Sequence, residues 1–345
     1  MAGKQMKLLL LVSVVISSLA VNVLAAPLPR AIKELSARPP FLGLISSGSG
    51  NQETPFSVDG AFKPDPEFPY VDLSGRRFNI GTIGSNSVII VGCGAGLVNA
   101  AATTQLLLDI FPIRAVIHYG TAGGADSSLS LGDVLIPTQF SQTGLWDWLK
   151  SEKAPQPDNG VADLQFSRYH VPSFGFNLLG RVAYMKERFF SVTGEPDVPE
   201  RKFWFPASEN LLQIASTLEG IELDLCLAGV CLPKQPKLVL GVNGTTADFF
   251  VENAAYSNFL HSAFNVSSID MESAAVIMTS LSNGQSEVIA IRGLANFAGA
   301  EEGEDSSERY DALLAINVEK IVAALVDTIP SPRLSSICGN RKCSA

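Results

Sequence analysis

The 345-residue sequence predicts a single α/β domain of three layers, in which helices flank a mixed or mainly parallel central β-sheet. Three observations predict this fold class. Short β-branched runs are apolar along almost their whole length, helical segments alternate with several of them, and no internal repeat is present. Strands without polar alternation are buried on both faces, which places helices on both sides of the sheet.

The predicted elements are short and regularly placed. The strand-like runs are Phe41–Ser46, Ser87–Val91, Arg114–Tyr119, Asp133–Pro137, Leu238–Val242 and Glu287–Arg292. Apolar residues that recur every three or four positions predict helices at Leu97–Phe111, Met271–Leu281 and about Ser307–Ile329. Serines that can cap the helix precede the last of these.

Two kinds of segment depart from this alternation of predicted strands and helices. Residues 27–40 and 52–69 are rich in proline and predict extended or loop structure. Residues 144–236 are aromatic and irregular, and we interpret them as an elaboration that closes over one edge or one subunit interface. The predicted organisation is a leader at 1–26, an extension at 27–40, a domain at 41–330 that contains this insertion, and a cysteine-containing tail at 331–345.

The leader has the architecture of a secretory signal peptide. Lys4 and Lys7 precede the apolar run Leu8–Leu24, and Val23–Ala25 offers small residues at the spacing that signal peptidase requires. An uncleaved signal anchor is the alternative, which the cleavage-like site disfavours. The pattern predicts entry into the secretory pathway, with an extracellular, cell-wall or vacuolar destination. Asn243-Gly-Thr and Asn265-Val-Ser have the form of N-glycosylation acceptors, consistent with this route.

The charge of the mature chain excludes two classes of partner. Removing the two leader lysines leaves 23 basic against 34 acidic residues, a net charge near −11 with His neutral. So acidic a chain argues against nucleic-acid binding and against docking on an anionic membrane. No segment after the leader has the apolar length that spans a bilayer.

In a secreted chain, the cysteines are expected to form disulfides. Cys226 and Cys231 lie close together, as do Cys338 and Cys343, while Cys93 stands alone in an apolar run. Two local disulfides and one buried thiol are the economical pairing. Zinc is the weaker alternative, because the three histidines of the chain stand far from either pair in sequence.

Glycine-rich segments follow two predicted strands, at Gly92–Gly96 and Gly120–Gly124. The first resembles a dinucleotide fingerprint, but the next strand ends in His118-Tyr119 rather than in the acidic residue that would hold a ribose, so a Rossmann dehydrogenase is disfavoured. The backbone N–H groups of both segments, with the Thr121 hydroxyl, suit an anion or sugar oxygens. For either segment alone, a tight turn with close helix packing is the preferred interpretation.

Five motifs taken in order carry a family resemblance. Three lie within 87–137, namely Gly-Cys-Gly-Ala-Gly, Ala-Val-Ile-His-Tyr-Gly-Thr-Ala-Gly-Gly and Leu-Gly-Asp-Val-Leu-Ile-Pro. The other two are Ser-Ile-Asp-Met-Glu-Ser-Ala-Ala at 268–275 and Ile-Arg-Gly-Leu-Ala-Asn-Phe-Ala at 291–298. The sequence resembles the purine nucleoside phosphorylase and methylthioadenosine nucleosidase superfamily, and within it the plant bark storage protein branch. The resemblance implies a nucleoside phosphorylase-like fold, a homo-oligomer, and cleavage of a nucleoside by phosphate or water. It implies no metal or organic cofactor, with phosphate as a possible co-substrate.

The resemblance also implies roles for individual residues. Glu272 matches the glutamate that accepts hydrogen bonds from both ribose hydroxyls, and Met271 would pack on the sugar. Phe250 and Val251 match the segment that stacks on and reads the base, with Phe249 as the alternative ring. Gly94 and Thr121 belong to the substrate-binding loops. In isolation, a helix-terminal acid and ordinary core side chains are the better interpretations of Glu272 and Met271, but the Asp-Met-Glu-Ser-Ala-Ala string favours the site.

Asn296 is a departure from the adenine-cleaving members, which place an aspartic acid there, after the strand that carries the arginine matched by Arg292. Asparagine has no proton to give to the leaving base at neutral pH, although it both donates and accepts hydrogen bonds. Members that act on 6-oxopurines use asparagine. We therefore expect catalysis by Glu272 and Asn296 on inosine or guanosine, or a degenerate site.

The nucleophile side also departs from the family pattern. His118 stands roughly where phosphorolytic relatives carry an arginine, and Ser46 to Gly50, including Gly48, is able to form an anion nest. Hydrolytic relatives carry a glutamate near Asn51, and Glu53 fits only if the loop is two residues longer. A surface acid is the default interpretation of Glu53.

Three functions therefore compete on the sequence alone. The first is an enzyme that cleaves a purine nucleoside, with 6-oxopurine nucleosides or a cytokinin riboside as substrates. The second is a bark or vegetative storage protein with a degenerate nucleoside site. The third is a protein that binds a nucleoside or base without turning it over.

Overall fold

The computed structural model describes residues 28–48, 56, 58, 60–150, 160–165, 180–298 and 307–331. The predicted leader, Glu53, Cys338 and Cys343 lie outside these residues. The helices are α1 (Leu28–Ser36), α2 (Leu97–Ile110), α3 (Glu209–Ser216), α4 (Ala254–Phe264), α5 (Ser273–Ser282) and α6 (Ser307–Thr328). The strands are β1 (Phe41–Ser46), β2 (Phe62–Pro64), β3 (Tyr70–Leu73), β4 (Arg76–Ile83), β5 (Asn86–Gly92), β6 (Ile113–Gly124), β7 (Val134–Ile136), β8 (Gln139–Gln142), β9 (Trp146–Leu149), β10 (Gly160–Gln165), β11 (Arg181–Met185), β12 (Glu187–Phe189), β13 (Glu200–Lys202), β14 (Trp204–Pro206), β15 (Cys226–Leu227), β16 (Val230–Cys231), β17 (Leu238–Leu240), β18 (Asn243–Thr246), β19 (Val266–Asp270) and β20 (Val288–Phe297).

The main sheet is mixed, as the sequence predicts. Its centre is parallel: Leu42 of β1 pairs with Val88 of β5 and with Ala115 of β6, and β20 runs parallel to β6 on the other side. β19 pairs with the end of β6 in the antiparallel sense, with Ser268 opposite Gly124, and lies parallel to β18. The carboxyl ends of the parallel strands β1, β6 and β20 therefore point toward the same edge of the sheet, and the antiparallel β19 brings its own carboxyl end back alongside the last residues of β6.

Helices cover both faces of this sheet. On one face, Leu107 of α2 and Ile277 of α5 belong to a buried cluster with the strands. On the other face, Leu211 of α3 and Ile321 of α6 do the same. The order helix, sheet, helix confirms the predicted three-layer α/β class.

The prediction that residues 27–40 are extended or a loop is wrong for residues 28–36, which form the helix α1, whereas residues 37–40 form a turn and loop as predicted. Pro29 lies in the first turn, where its missing N–H would have no partner within the helix. Ala31 and Leu35 lie one turn apart and are buried, at 5% and 0% exposed. The proline content hid this apolar pair, which attaches the helix to the core.

The aromatic segment 144–236 contributes in two places. β14 adds a strand beside β8 at the edge of the main sheet, with Phe205 opposite Phe140. β10, β11 and β9 form a separate antiparallel sheet, in which Tyr184 packs against Phe264 of α4. In the part of the chain that the structure describes, no helix combines the length and hydropathy needed to cross a bilayer.

Cys226 and Cys231 form the disulfide predicted for them, across the hairpin of β15 and β16. Cys93 is a buried free thiol. Of the two glycosylation acceptors, Asn265 is exposed at the end of α4, whereas the Asn243 amide donates to the Asn265 carbonyl at 3.2 Å. Glycosylation stays a prediction, for which this geometry favours Asn265.

Candidate active site

A cavity of about 310 Å³ opens where the carboxyl ends of β1, β6, β19 and β20 meet. Several residues predicted from the sequence line its wall together. They are Thr121, Phe250, Val251, Met271, Glu272 and Asn296. The crevice at the strand ends is the usual place for a ligand in an α/β sheet.

A hydrogen-bonded turn after β19 fixes Met271 and Glu272. Asp270 Oδ1 accepts hydrogen bonds from the backbone N–H groups of Glu272 and Ser273, at 3.1 and 3.0 Å. Thr246 Oγ1 donates to the same oxygen at 2.6 Å. Asp270 therefore satisfies the N-terminal donors of α5, as a capping side chain does, and holds Glu272 against the cavity.

The Glu272 carboxylate is 5% exposed, and each of its oxygens has a partner. Oε1 accepts from the Gly96 N–H at 3.2 Å, and Oε2 lies 3.2 Å from Arg292 Nη2. Gly96 has a φ of 94°, and a Cβ there would lie 2.6 Å from Asp248 Oδ1, so this approach requires glycine. Burial raises the pKa of Glu272 above its ordinary value, and the guanidinium opposes that rise.

Arg292 is fully buried beneath the cavity wall. Its Nε donates to Ser273 Oγ at 2.9 Å and lies 2.9 Å from Asp270 Oδ2. Its Nη2 also donates to His118 Nε2. Burial alone would raise the pKa of Asp270, but the guanidinium and the hydrogen bonds to the carboxylate hold it below its usual value.

The cluster of Asp270, Glu272, Arg292 and His118 carries a net negative charge. Burial and the neighbouring guanidinium lower the pKa of His118 to about 3, which leaves the imidazole neutral, so two carboxylates oppose one cation. A preorganised negative charge beside a cavity stabilises positive charge that develops on a ligand. In the ranges that the structure describes, no three His, Cys, Asp or Glu side chains are grouped to hold a metal ion.

Another part of the wall suits a planar base. Asn296 lies opposite Gly123 in the pairing of β20 with β6, and its side chain makes no hydrogen bond within the described residues. Phe249 packs against Tyr256, with ring centroids 6.0 Å apart, whereas Phe250 is 62% exposed at the rim. Both rings line the cavity, and Phe250 is the more exposed of the two, which favours it for stacking. Asn296 offers both a donor and an acceptor.

Other predicted site residues lie off the wall. His118 and Arg292 are buried beneath it, and Ser46, Gly48 and Gly94 adjoin lining residues without lining the cavity themselves. Glu53 lies outside the described residues.

Ser47, which belongs to the predicted anion nest at Ser46 to Gly50, lines the cavity, whereas the sequence analysis gave no role to two acidic lining residues, Asp270 and Asp311. A Cβ on Gly120 would lie 1.8 Å from Ser47 Oγ, so the glycine at 120 was the available signal that another segment approaches there. Asp270 offered a signal too, as an acidic residue just before a helix. Nothing in the local sequence marked Asp311.

Comparison with known proteins gives the family. Residues 44–330 match the family model described as the Phosphorylase superfamily. The chain belongs to that superfamily. It is 37% identical over 298 residues to bark storage protein A of Populus deltoides, which covers 85% of this chain and 90% of the relative. It is 23% identical over 266 residues to a 5′-methylthioadenosine/S-adenosylhomocysteine nucleosidase of Colwellia psychrerythraea, which covers 76% and 88%.

Solved structures of phosphorylase-superfamily nucleosidases share the fold. The Helicobacter pylori 5′-methylthioadenosine/S-adenosylhomocysteine nucleosidase with butyl-thio-DADMe-Immucillin-A has a TM-score of 0.57 at 18% identity, covering 84% of this chain and 99% of that one. The Colwellia psychrerythraea nucleosidase in complex with adenine has a TM-score of 0.56 at 21% identity, covering 85% and 96%. The structural neighbours confirm the predicted fold class, and the family model with the poplar relatives confirms the predicted superfamily and its bark storage branch.

Proposed function

We propose that this chain cleaves the N-glycosidic bond of a purine nucleoside, with 6-oxopurine nucleosides as the favoured substrates. One observation carries the proposal: the buried Glu272 carboxylate stands at the cavity, oriented by Gly96 and Arg292. The identity to nucleosidases and the small-molecule complexes of the structural neighbours support the same chemistry.

Glu272 suits the ribose end of such a substrate. Each carboxylate oxygen has lone-pair capacity left beside its present partner, so vicinal hydroxyls can donate to it. As the bond to the base lengthens, positive charge grows on the sugar ring, and the net negative cluster stabilises it more in the transition state than in the bound substrate. Met271, on the same wall, is placed to pack on the sugar.

Asn296 suits the departing base. Its amide donates to one base atom while its oxygen accepts from a ring N–H, the pattern that a 6-oxopurine presents. It has no proton to transfer to an adenine. Phe250 at the rim is placed to stack on the base.

The nucleophile is water or phosphate. Among the described lining residues there is no Lys, Arg or His, and the polar groups on the nucleophile side are the hydroxyls of Ser47 and Thr121. A phosphate dianion next to Asp270 and Glu272 would meet like charge. Within one protomer the wall therefore favours water, and phosphorolysis would require a cation from beyond the described residues.

The test is to incubate the purified protein with inosine, guanosine, adenosine and a cytokinin riboside, with and without phosphate, and to measure the free base by chromatography. We expect base release from inosine or guanosine, and a loss of at least about 100-fold in kcat/KM for Glu272→Gln. Glu187→Gln is the matched control, since Glu187 is also partly buried with a raised pKa but lies away from the cavity. An unchanged rate in Glu272→Gln would remove Glu272 from the reaction.

A storage protein is the second candidate, and the identity to the poplar bark storage proteins supports it. It predicts neither turnover nor saturable binding, together with accumulation to high abundance. Saturable binding of a base or nucleoside without turnover would instead identify a binding protein. Calorimetry with inosine and hypoxanthine separates these outcomes.

We further propose entry into the secretory pathway with cleavage after Ala25 or Ala26, and assembly as a homo-oligomer. The basic and apolar pattern of the first 26 residues supports the first proposal, and the family resemblance supports the second. Mass spectrometry of the mature N-terminus and sedimentation of the purified protein test them.

A further inference from the structure

His118 contacts no part of the cavity, yet it bonds to the arginine that holds Glu272. It lies on β6, between Ile45 of β1 and Ala290 of β20 in the strand register, and is 0% exposed. Its Nδ1 is 2.8 Å from the Ile45 carbonyl oxygen, and its Nε2 contacts Arg292 Nη2.

These two contacts fix the state of the imidazole. A backbone carbonyl only accepts hydrogen bonds, so Nδ1 carries the proton and donates it to Ile45. Nε2 is then a lone pair, which accepts from Arg292. The low pKa of His118, caused by burial and by the guanidinium, agrees with this neutral form.

Arg292 has a competing acceptor within reach. Asp270 Oδ2 accepts no hydrogen bond from the described residues, although it lies 2.9 Å from Arg292 Nε. The guanidinium is planar, so all its donors turn together. If Nη2 lost its bond to His118, a turn of the guanidinium toward Asp270 Oδ2 would be opposed by the neutral acceptors Ser273 Oγ, 2.9 Å from Nε, and the Thr121 carbonyl, 3.3 Å from Nη1. A carboxylate is the stronger acceptor, and the turn would move Nη2 away from Glu272 Oε2.

We propose that His118 is a positioning residue for Glu272, acting through Arg292: its neutral Nε2 holds the guanidinium in the orientation that places Nη2 against Glu272. The inference rests on the proposed function, in which Glu272 stabilises the charge that develops on the ribose. It assigns to His118 a role that is neither phosphate binding nor mere core filling.

Two amide variants separate this role from simple packing. His118→Gln places an amide oxygen near the position of Nε2, so it restores an acceptor for Arg292. His118→Asn keeps a donor near the Ile45 carbonyl but is too short to reach Arg292. His261→Asn is the matched control, because His261 Nδ1 also lies 2.8 Å from a backbone carbonyl, that of Val266, away from the cavity.

We expect kcat for inosine to fall about 10- to 100-fold in His118→Asn, by analogy with the loss of a residue that orients a metal ligand. KM should change less than about threefold, and His118→Gln should recover most of the rate. His261→Asn should keep both parameters. Equal losses in the two His118 variants, a change in KM alone, or wild-type kcat in His118→Asn would overturn the proposal.

A crystal structure of His118→Asn gives a readout that does not depend on turnover. We expect Arg292 Nη2 to leave Glu272 Oε2 while the backbone stays in place, and a retained contact would overturn the proposal. If the wild-type protein cleaves no nucleoside, the proposed function fails, but this crystallographic result still decides whether His118 orients Arg292. Should His118→Asn not fold, the retained or lost contact in His118→Gln decides, since that variant must keep it.

Discussion

Arg292 and Glu272 form an ion pair at the cavity wall that is almost completely shielded from water, with Nη2 3.2 Å from Oε2. The guanidinium is 0% exposed and the carboxylate side chain 6%. Such a pair contributes little net stability compared with an apolar substitute, but loss of one partner leaves the other charge buried and alone. The ion pair is therefore better explained by its orienting the Glu272 carboxylate at the cavity than by a contribution to stability.

Replacement of Arg292 tests this directly. In Arg292→Met, two buried carboxylates lose their common cation, so we expect the free energy of unfolding to fall by about 3–5 kcal/mol. Arg77→Met is the control, because its bonds to Asp72 are largely exposed, and a loss below about 1 kcal/mol is expected. Urea unfolding followed by circular dichroism measures both. Equal losses would show that the buried ion pair contributes no more to the free energy of unfolding than the exposed one.

The raised pKa of Glu272 predicts how kcat/KM depends on pH. Its charged form accepts the ribose hydroxyls, and burial raises its pKa above the ordinary 4.5. As pH falls through that raised pKa, the carboxylate takes up a proton and loses both its charge and acceptor capacity. We therefore expect the acid limb of kcat/KM for inosine to have a midpoint above 4.5. A limb centred at or below that pH would contradict the assignment.

Phe250 and Phe249 make a matched pair for base stacking. Phe250→Ala removes the exposed ring at the rim, and we expect nucleoside affinity to fall by about 1–3 kcal/mol, measured by calorimetry. Phe249→Ala removes a ring that packs on Tyr256, so we expect it to reduce thermal stability more than affinity. The reverse pattern would assign stacking to Phe249.

The central strands and the carboxylate of the site were predictable, because both depend on local pattern. The runs of apolar residues matched β1, β5 and β20, and the string around Glu272 carried the family resemblance. β18 and β19 were missed, since Asn-Gly-Thr-Thr and Val-Ser-Ser-Ile-Asp are polar in sequence although buried in the fold.

Long-range hydrogen bonds explain that burial, and no local pattern reveals them. Thr245 Oγ1 bonds to the hydroxyls of Ser141 and Thr143 at 2.8 and 2.9 Å, so buried polar atoms are satisfied between β18 and its neighbours. The role of Asp270 depends likewise on Thr246, 24 residues away. His118 bonds to Arg292, 174 residues away in sequence. No local pattern shows that contact, so the sequence analysis placed His118 on the nucleophile side, from the position of an arginine in phosphorolytic relatives.

The disulfide predicts a separable stability effect. Cys226 and Cys231 close a short loop, for which chain entropy gives a stabilisation of about 2 kcal/mol. We expect the double substitution Cys226→Ser and Cys231→Ser to lower the free energy of unfolding by about that amount in urea, with kcat/KM unchanged. A much larger loss would mean that the hairpin's packing through Leu227 and Val230 also fails.

Asn296 decides which base leaves best. Asn296→Asp supplies a carboxyl beside a cluster that is already net negative, which raises its pKa and favours the protonated form that a general acid needs. We expect the ratio of kcat/KM for adenosine to that for inosine to rise by about 100-fold, the lower end of a general acid's contribution. Asn296→Ala is the control, because it removes the amide without supplying a proton and should weaken both reactions. If the ratio stays constant in Asn296→Asp while inosine is still cleaved, the side chain at position 296 does not contact the leaving base, and the base must lie elsewhere in the cavity.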